Sequence, residues 1–340
     1  MKKLVLLPVV LALSVIFALT AVNWYKDNRL PGFTGSASLY VYPETTSDDV
    51  LSILDEKGVV ADSRRLARVF ENKRVGEFLT PGFYYINPEN SCVYLARMLN
   101  NGWESPVNLT LSGTIRTCGD IARKIGNQVL ADSASVHKCL NDEAFMEQLG
   151  YTRQTVLSMF IPDTYQIYWT LSAEDILQRL KKASDDFWND ERMAQAAKTG
   201  LSRQEVSVLA SIVSAESNYV PELSKIAGVY LNRLKAGVPL QADPTVIYGM
   251  GRNFSGQLLR KHLEDAANPY NTYRHLGLPP GPICSFGLPA LRAAVSPEQH
   301  EFLYFVATGR DAGHSFSKTL EEHNRAVRGY REAVRERNKK

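Results

Sequence analysis

Residues Ile212 to Tyr219 read Ile-Val-Ser-Ala-Glu-Ser-Asn-Tyr and put one carboxylate, Glu216, at the end of an otherwise apolar helical pattern. Such a group can act as a general acid and base if its surroundings hold a proton on it near neutral pH. Ser202 and Glu205 have the spacing of a capping box, which starts the helix by satisfying free N–H groups reciprocally. From there Val206, Leu209, Ala210, Ile212 and Val213 recur at helical spacing and define one apolar arc. At roughly 100° per residue, Glu216 projects between Leu209 and Ile212, inside that arc. It also falls in the last turn, where the helix dipole disfavours negative charge. Desolvation and the dipole both push its pKa upward. A plainer reading stays open, a helix-end glutamate that reaches water or pairs with a lysine such as Lys225.

Downstream lie three runs dense in Pro and Gly beside Asn, Asp, Gln, Thr and Tyr: Gln241 to Gly249, Asn268 to Tyr273 and Gly277 to Ile283. Pro and Gly fix backbone shape, while amides and phenols supply hydrogen bonds and flat apolar faces. Sugars need both. Gln241, Asp243, Thr245, Tyr248, Asn271, Tyr273 and His314 are therefore candidate glycan contacts, each with a structural role as the alternative. The Gly249-Met250-Gly251 triplet lacks the strand–helix setting of a dinucleotide fingerprint. Cys92, Cys118, Cys139 and Cys284 are scattered and the six histidines form no ligand pattern, so no metal or other cofactor is expected. Those thiols either pair in an oxidising compartment or stay buried and free. A net charge of +3 over 340 residues gives no reason to expect nucleic acid as a partner.

These residues must be positioned by a chain long enough for two domains. Met1-Lys2-Lys3 precedes an uncharged run from Leu4 to Val22, about the length of a membrane-spanning helix. The leading positive charges keep the N-terminus in the cytoplasm, and Trp24 and Tyr25 fit an interfacial belt at the outer end. A cleaved signal peptide is the alternative, against which stand the run's length and the lack of a clean cleavage site. After a connector, a loose repeat of short strand, polar turn and Gly-ended helix appears three times: Val41 to Gly58, Tyr85 to Gly102 and Leu109 to Gly126. Small α+β modules sharing a sheet are expected. Tyr165, Tyr168 and Trp169 form an aromatic cluster, readable as a sugar-stacking platform or as core. A helix is expected from Ala173 to Lys182, another beyond Pro221 to Leu234 with a stop at Gly237, and a buried strand at Phe302 to Ala307. The basic stretch from Arg325 to Lys340 reads as a solvated helix end.

Taken in order, Leu209 to Tyr219, Leu240 to Gly249, Asn271-Thr272-Tyr273, Gly277 to Ile283, Gly313 to Phe316 and His323-Asn324 resemble the endolytic murein transglycosylase (MltG, YceG-like) family. Pro162-Asp163-Thr164-Tyr165 is similar to that family's upstream segment. The strong match runs from Met159 to about Tyr330; the N-terminal region matches in layout only. The resemblance implies an α+β fold with a single N-terminal transmembrane helix, a small LysM-like module and a mixed α+β catalytic domain. In this chain that layout gives a stub at residues 1–3, the membrane helix at 4–22, a connector at 23–38, the LysM-like domain at 39–105, the catalytic domain at 106–335 and a basic tail at 336–340. The family's catalytic glutamate falls on Glu216. Members often carry an acid where this chain has Ser214, and a Glu where it has Leu157.

The activity so implied is lytic cleavage of MurNAc-β-1,4-GlcNAc links inside nascent peptidoglycan strands, leaving 1,6-anhydroMurNAc ends. Hydrolysing glycosidases usually need two carboxylates. Here Glu222, Asp243 and Glu264 are off the helix face of Glu216. A lytic transglycosylase needs only one, because the sugar's own C6 hydroxyl attacks. Asp243 is expected either to orient the substrate acetamide or to shape an Asp-Pro turn. The implied setting is the cytoplasmic (inner) membrane, single-pass, with the catalytic domain outside and peptidoglycan synthases as candidate partners. A muramidase using water, or a noncatalytic glycan-binding scaffold, would keep many of the same residues.

Overall fold

A computed structural model describes residues 2–113, 115–251 and 254–338, with side chains from residue 10 onward. The chain is mixed α+β and divides into two compact units. The first holds the residues up to Leu109 together with 128–130 and 165–171; the second holds the remainder.

In the first unit, helix α1 (Lys2–Arg29) precedes β1 (Ala37–Val41), α2 (Ser47–Glu56), α3 (Ser63–Asn72), α4 (Val75–Phe78), β2 (Gly82–Ile86), α5 (Cys92–Asn101) and β3 (Val107–Thr110). Among the described residues α1 alone is long and apolar enough to cross a membrane, and Leu11, Phe17 and Leu19 stand exposed on it. Its C-terminal end is clamped. Arg65 donates to the carbonyls of Lys26, Leu30 and Pro31, and Arg68 bonds both oxygens of the buried Asp27 at 2.9 and 3.0 Å. Cations there answer both the unsatisfied carbonyls and the dipole. Strands β1 and β2 pair antiparallel, Leu39 opposite Tyr84, so alternation sends Leu39, Val41, Tyr84 and Ile86 into a core with Val50, Leu54, Leu66 and Leu95.

Two of the three sequence repeats thus share a sheet, but the third does not join it. Strand β3 pairs instead with β4 (Thr164–Ile167). Of the aromatic cluster, Tyr165 and Trp169 are core, and Trp169 takes the edges of Tyr40 and Tyr42 at centroid distances of 5.1 and 4.9 Å; Tyr168 is exposed.

The second unit contains α6 (Cys118–Gly126), α7 (Ser133–Asn141), α8 (Glu143–Gln148), α9 (Ala173–Phe187), α10 (Asp190–Thr199), α11 (Arg203–Glu216), α12 (Leu223–Ala236), α13 (Asp243–Gly249), α14 (Arg260–Leu263), α15 (Leu288–Val295), β5 (Tyr304–Ala307), β6 (His314–Ser317) and α16 (Leu320–Arg337). Helix α11 is central and packs on α12 and α15. The expected single apolar arc is corrected here: every residue from Val206 to Val213 is buried. Ser207 and Ser211 allow this by turning their hydroxyls back to the Arg203 and Val208 carbonyls, at 3.0 and 2.7 Å. The Ser211 hydroxyl also accepts from Ile283 N at 3.0 Å, which pins the end of the Gly277–Ile283 loop to the core helix.

Two further expectations change. The run from Asp243 to Gly249 is a helix, with Pro244 in its first turn, where a missing N–H costs nothing. Phe302 to Ala307 is only half-buried, because β5 pairs with β6 alone and forms a two-stranded ribbon. The C-terminal basic segment belongs to α16, capped by Thr319 and Glu322; Lys339 and Lys340 lie outside the described residues. Cys92, Cys118, Cys139 and Cys284 are free thiols.

Candidate active site

Glu216 ends α11 where the sequence places it. The Ser202 hydroxyl accepts from Glu205 N at 3.3 Å and the Glu205 carboxylate accepts from Ser202 N at 2.8 Å, closing the capping box. The carboxylate lines a cavity of about 340 Å³ with Tyr230, Arg233, Gln241, Asp243 and Tyr273. Its Oε1 accepts a hydrogen bond from the Tyr230 hydroxyl at 2.6 Å. Burial pushes the Glu216 pKa up; the Tyr230 hydrogen bond opposes this, the Asp243 charge reinforces it, and His314 opposes it weakly. Lys225 is not its partner, since that ammonium faces Glu298 at 3.6 Å.

Asp243 stands at the first turn of α13, as helix dipoles favour, and accepts from the Tyr273 hydroxyl at 2.6 Å. Burial, then Asp243, keeps that phenol well above its ordinary pKa and so a donor throughout the physiological range. A second carboxylate therefore does share the cavity, although it comes from another helix.

Arg233 holds the floor of the site. It is buried, and its planar fork donates to the Pro239 carbonyl at 2.9 Å, the Leu303 carbonyl at 2.8 Å and Gln241 Oε1 at 2.6 Å. Gln241 takes a left-handed backbone with φ of 54°, and its N–H donates to the Thr272 carbonyl at 3.1 Å. A non-glycine residue in that region stores strain that surrounding bonds must hold, and such positions gather at functional sites.

On the far side of the α11 terminus, a second cavity of about 720 Å³ is lined by Ser214, Asn218, Pro244, Tyr248, Arg116 and Phe286. Asp243 borders the first cavity and Pro244 the second, while Glu216 lines the first alone.

A family model described as YceG-like matches residues 39–329. The chain belongs to the YceG-like family. Among similar proteins, the endolytic murein transglycosylase of Bacillus subtilis is 28% identical over 306 residues, covering 83% of this chain and 81% of that protein. The endolytic murein transglycosylase of Streptococcus pneumoniae serotype 2 is 27% identical over 280 residues, covering 73% of this chain and 50% of the relative, so the chain spans half the length of that protein. A 2.6 Å crystal structure of the yceG-like protein lmo1499 from Listeria monocytogenes superposes with a TM-score of 0.56 at 28% identity, over 85% of this chain and 98% of that one.

Within this YceG-like chain the candidate contacts divide. Gln241, Asp243 and Tyr273 line the first cavity with Glu216, and Tyr248 lines the second, edge-on to Tyr270 at 4.7 Å. Thr245 and Asn271 must be corrected: both are fully buried, and their polar groups are used by the chain. Thr245 bonds the Ala242 carbonyl at 2.7 Å and Thr272 Oγ1 at 2.9 Å. The Asn271 amide donates to the carbonyls of Asp265, His262 and Leu263, at 2.6, 3.2 and 3.2 Å. They tie loops together and present nothing to a ligand. His314 lines neither cavity; Glu222 grips its Nδ1 and its backbone N–H, each at 3.0 Å. Ser214 faces the second cavity, and Leu157 is core. Tyr230 and Arg233 went unnamed in the sequence reading. Their signal was present, since Ile226, Tyr230 and Arg233 recur at helical spacing and put a phenol and a guanidinium on an apolar face.

Proposed function

We propose that this YceG-like chain is a membrane-anchored endolytic lytic transglycosylase that cuts MurNAc-β-1,4-GlcNAc links in nascent peptidoglycan strands. The observation that carries the reading is Glu216, a half-buried carboxyl that lines the first cavity with Asp243, with its pKa held up by burial and by Asp243. The names of the curated relatives supply the substrate class.

In this reading Glu216 protonates the glycosidic oxygen as the bond to the muramic acid C1 breaks. The same carboxylate then takes the proton of the C6 hydroxyl as its oxygen bonds to C1, leaving a 1,6-anhydroMurNAc end. No water is activated, and intramolecular attack carries a large entropic advantage. Asp243, oriented by Tyr273, is suited to accept from the substrate acetamide N–H or to offset the positive charge that develops at C1. Gln241, fixed by Arg233, and Tyr248 supply a polar contact and a flat face for neighbouring sugars.

The apolar helix α1 supports a single-pass anchor, N-terminus inside, in the cytoplasmic membrane, with the chain after α1 outside. The first unit, with two helices and a short turn of helix between paired strands β1 and β2, is compatible with a LysM-like module. Peptidoglycan synthases are the partners that this location would favour.

Asp243 in the same cavity is the one observation that favours a second reading, hydrolysis with Asp243 as base. Mass analysis of the products separates the two. Digestion of purified glycan strands by the full chain is expected to yield ends one water lighter than reducing ends. Reducing ends alone would establish the muramidase and refute the lyase.

A further inference from the structure

The Tyr230 hydroxyl and Glu216 Oε1 lie 2.6 Å apart, a short bond for a neutral phenol and a carboxyl group. Tyr230 is 2% exposed, and its ring is fixed edge-on by Phe305 at 5.8 Å, so the hydroxyl has one direction to point. Burial first, and then the Glu216 charge, hold this phenol in its protonated form, so its O–H stays available to donate to Oε1. Glu216 Oε2 has no hydrogen-bond partner among the described residues, while the residue itself lines the cavity.

We propose that Tyr230 is a positioning residue that decides which oxygen of Glu216 carries the catalytic proton. A carbonyl-type oxygen is a far better acceptor than a carboxylic O–H oxygen, so a permanent donor at Oε1 makes that atom the carbonyl. The acidic proton is then confined to Oε2. In the first step the Oε2–H bond breaks as the proton passes to the glycosidic oxygen and that oxygen leaves C1 with the bonding pair. Glu216 becomes a carboxylate, with Tyr230 still donating to Oε1. In the second step Oε2 takes the C6 hydroxyl proton as O6 bonds to C1, which restores the starting form. One oxygen performs both transfers, and the other never needs to rotate into the cavity.

The inference rests on Glu216 being the acid of the proposed reaction, but its physical core does not depend on turnover. Three ionisable groups act on Glu216 from neighbouring elements: Tyr230 on α12, Asp243 on α13 and His314 on β6. Arg233 and Tyr273 act in turn on Tyr230. Tyr230→Phe removes the donor and leaves the ring packing, Asp243 and His314 in place.

The test is a carbon-13 carboxyl NMR titration of the full chain in detergent, with the Glu216 signal assigned by its loss in Glu216→Gln. Loss of a hydrogen bond to an ionised group is expected to raise the Glu216 pKa by about one pH unit. The alkaline limb of kcat should move up by the same amount, with kcat lowered and KM unchanged. Site-specific 3-fluorotyrosine at position 230, a stronger donor of nearly the same shape, is expected to move the titration the opposite way. A Glu216 titration that is the same in all three proteins overturns the inference. If the shifts appear while the parent releases no anhydro ends, the proposed activity fails and the hydrogen-bond assignment stands.

Discussion

Arg233→Lys keeps the charge and removes the fork. The guanidinium reaches Pro239 O, Leu303 O and Gln241 Oε1 at 2.9, 2.8 and 2.6 Å, from three directions and inside a site where it is only 8% exposed. A lysine ammonium is a compact point donor on a flexible stem, and one point cannot meet acceptors spread around a planar group. At least two acceptors then lose their donor, and leaving a buried acceptor unmet costs about 1–3 kcal/mol. The net loss of unfolding free energy is expected at about 2–4 kcal/mol, or roughly 5–15 °C in melting temperature for a domain of this size. Function should suffer separately. Gln241 is held in its left-handed backbone partly by this bond, so KM for glycan should rise more than kcat falls. The assay is thermal unfolding followed by tryptophan fluorescence of the full chain, alongside steady-state release of cleaved ends. A variant that melts with the parent and keeps its KM would refute the reasoning that Arg233 organises the floor of the cavity.

Asp243→Asn removes a charge that raises the Glu216 pKa, so the alkaline limb of the pH–rate profile should move to lower pH; an unmoved limb would separate the two carboxyls electrostatically. Asn271→Ala strips the His262, Leu263 and Asp265 carbonyls of a buried donor and should cost about 1–3 kcal/mol in denaturant unfolding, whereas a fully stable variant with raised KM would return Asn271 to the substrate contacts. Glu216 has a native pKa raised above the ordinary glutamate value, so its ionisation opposes folding: stability falls as pH rises from that ordinary value through the native one. Glu216→Gln should therefore be more stable than the parent above that window and indistinguishable below it, by denaturation midpoints at acid and neutral pH. A constant difference would show that ionisation is not the cause.

The helix ends were the most legible part of the chain. Ser202 caps where the sequence puts a short polar residue before an apolar run, and Gly102 and Gly237 stop helices at φ of 62° and 65°, where a side chain would be strained. Glu216 was legible because its position on α11 conflicts with the local pattern. What could not be read was non-local. Ser207 and Ser211 look polar in sequence, yet a hydroxyl that bonds its own helix can be buried on any side, so α11 is a central helix and not a surface one. Thr245 and Asn271 have the right chemistry for sugar contacts and the same chemistry for tying loops. Only their neighbours, which are far away in sequence, distinguish the two roles. The Arg233–Gln241 bond and the Asp243–Tyr273 bond are of the same kind: each joins groups whose meeting depends on how α12, α13 and the Asn268–Tyr273 loop close around α11.

The most direct measurement compares soluble products of glycan-strand digestion by the parent and by Glu216→Gln at matched folded concentration. If a single proton-carrying carboxyl does the chemistry, the parent releases anhydro-muramoyl ends, while the variant, as well folded as the parent, releases none. Anhydro ends appearing at the parental rate from the amide variant would contradict the account.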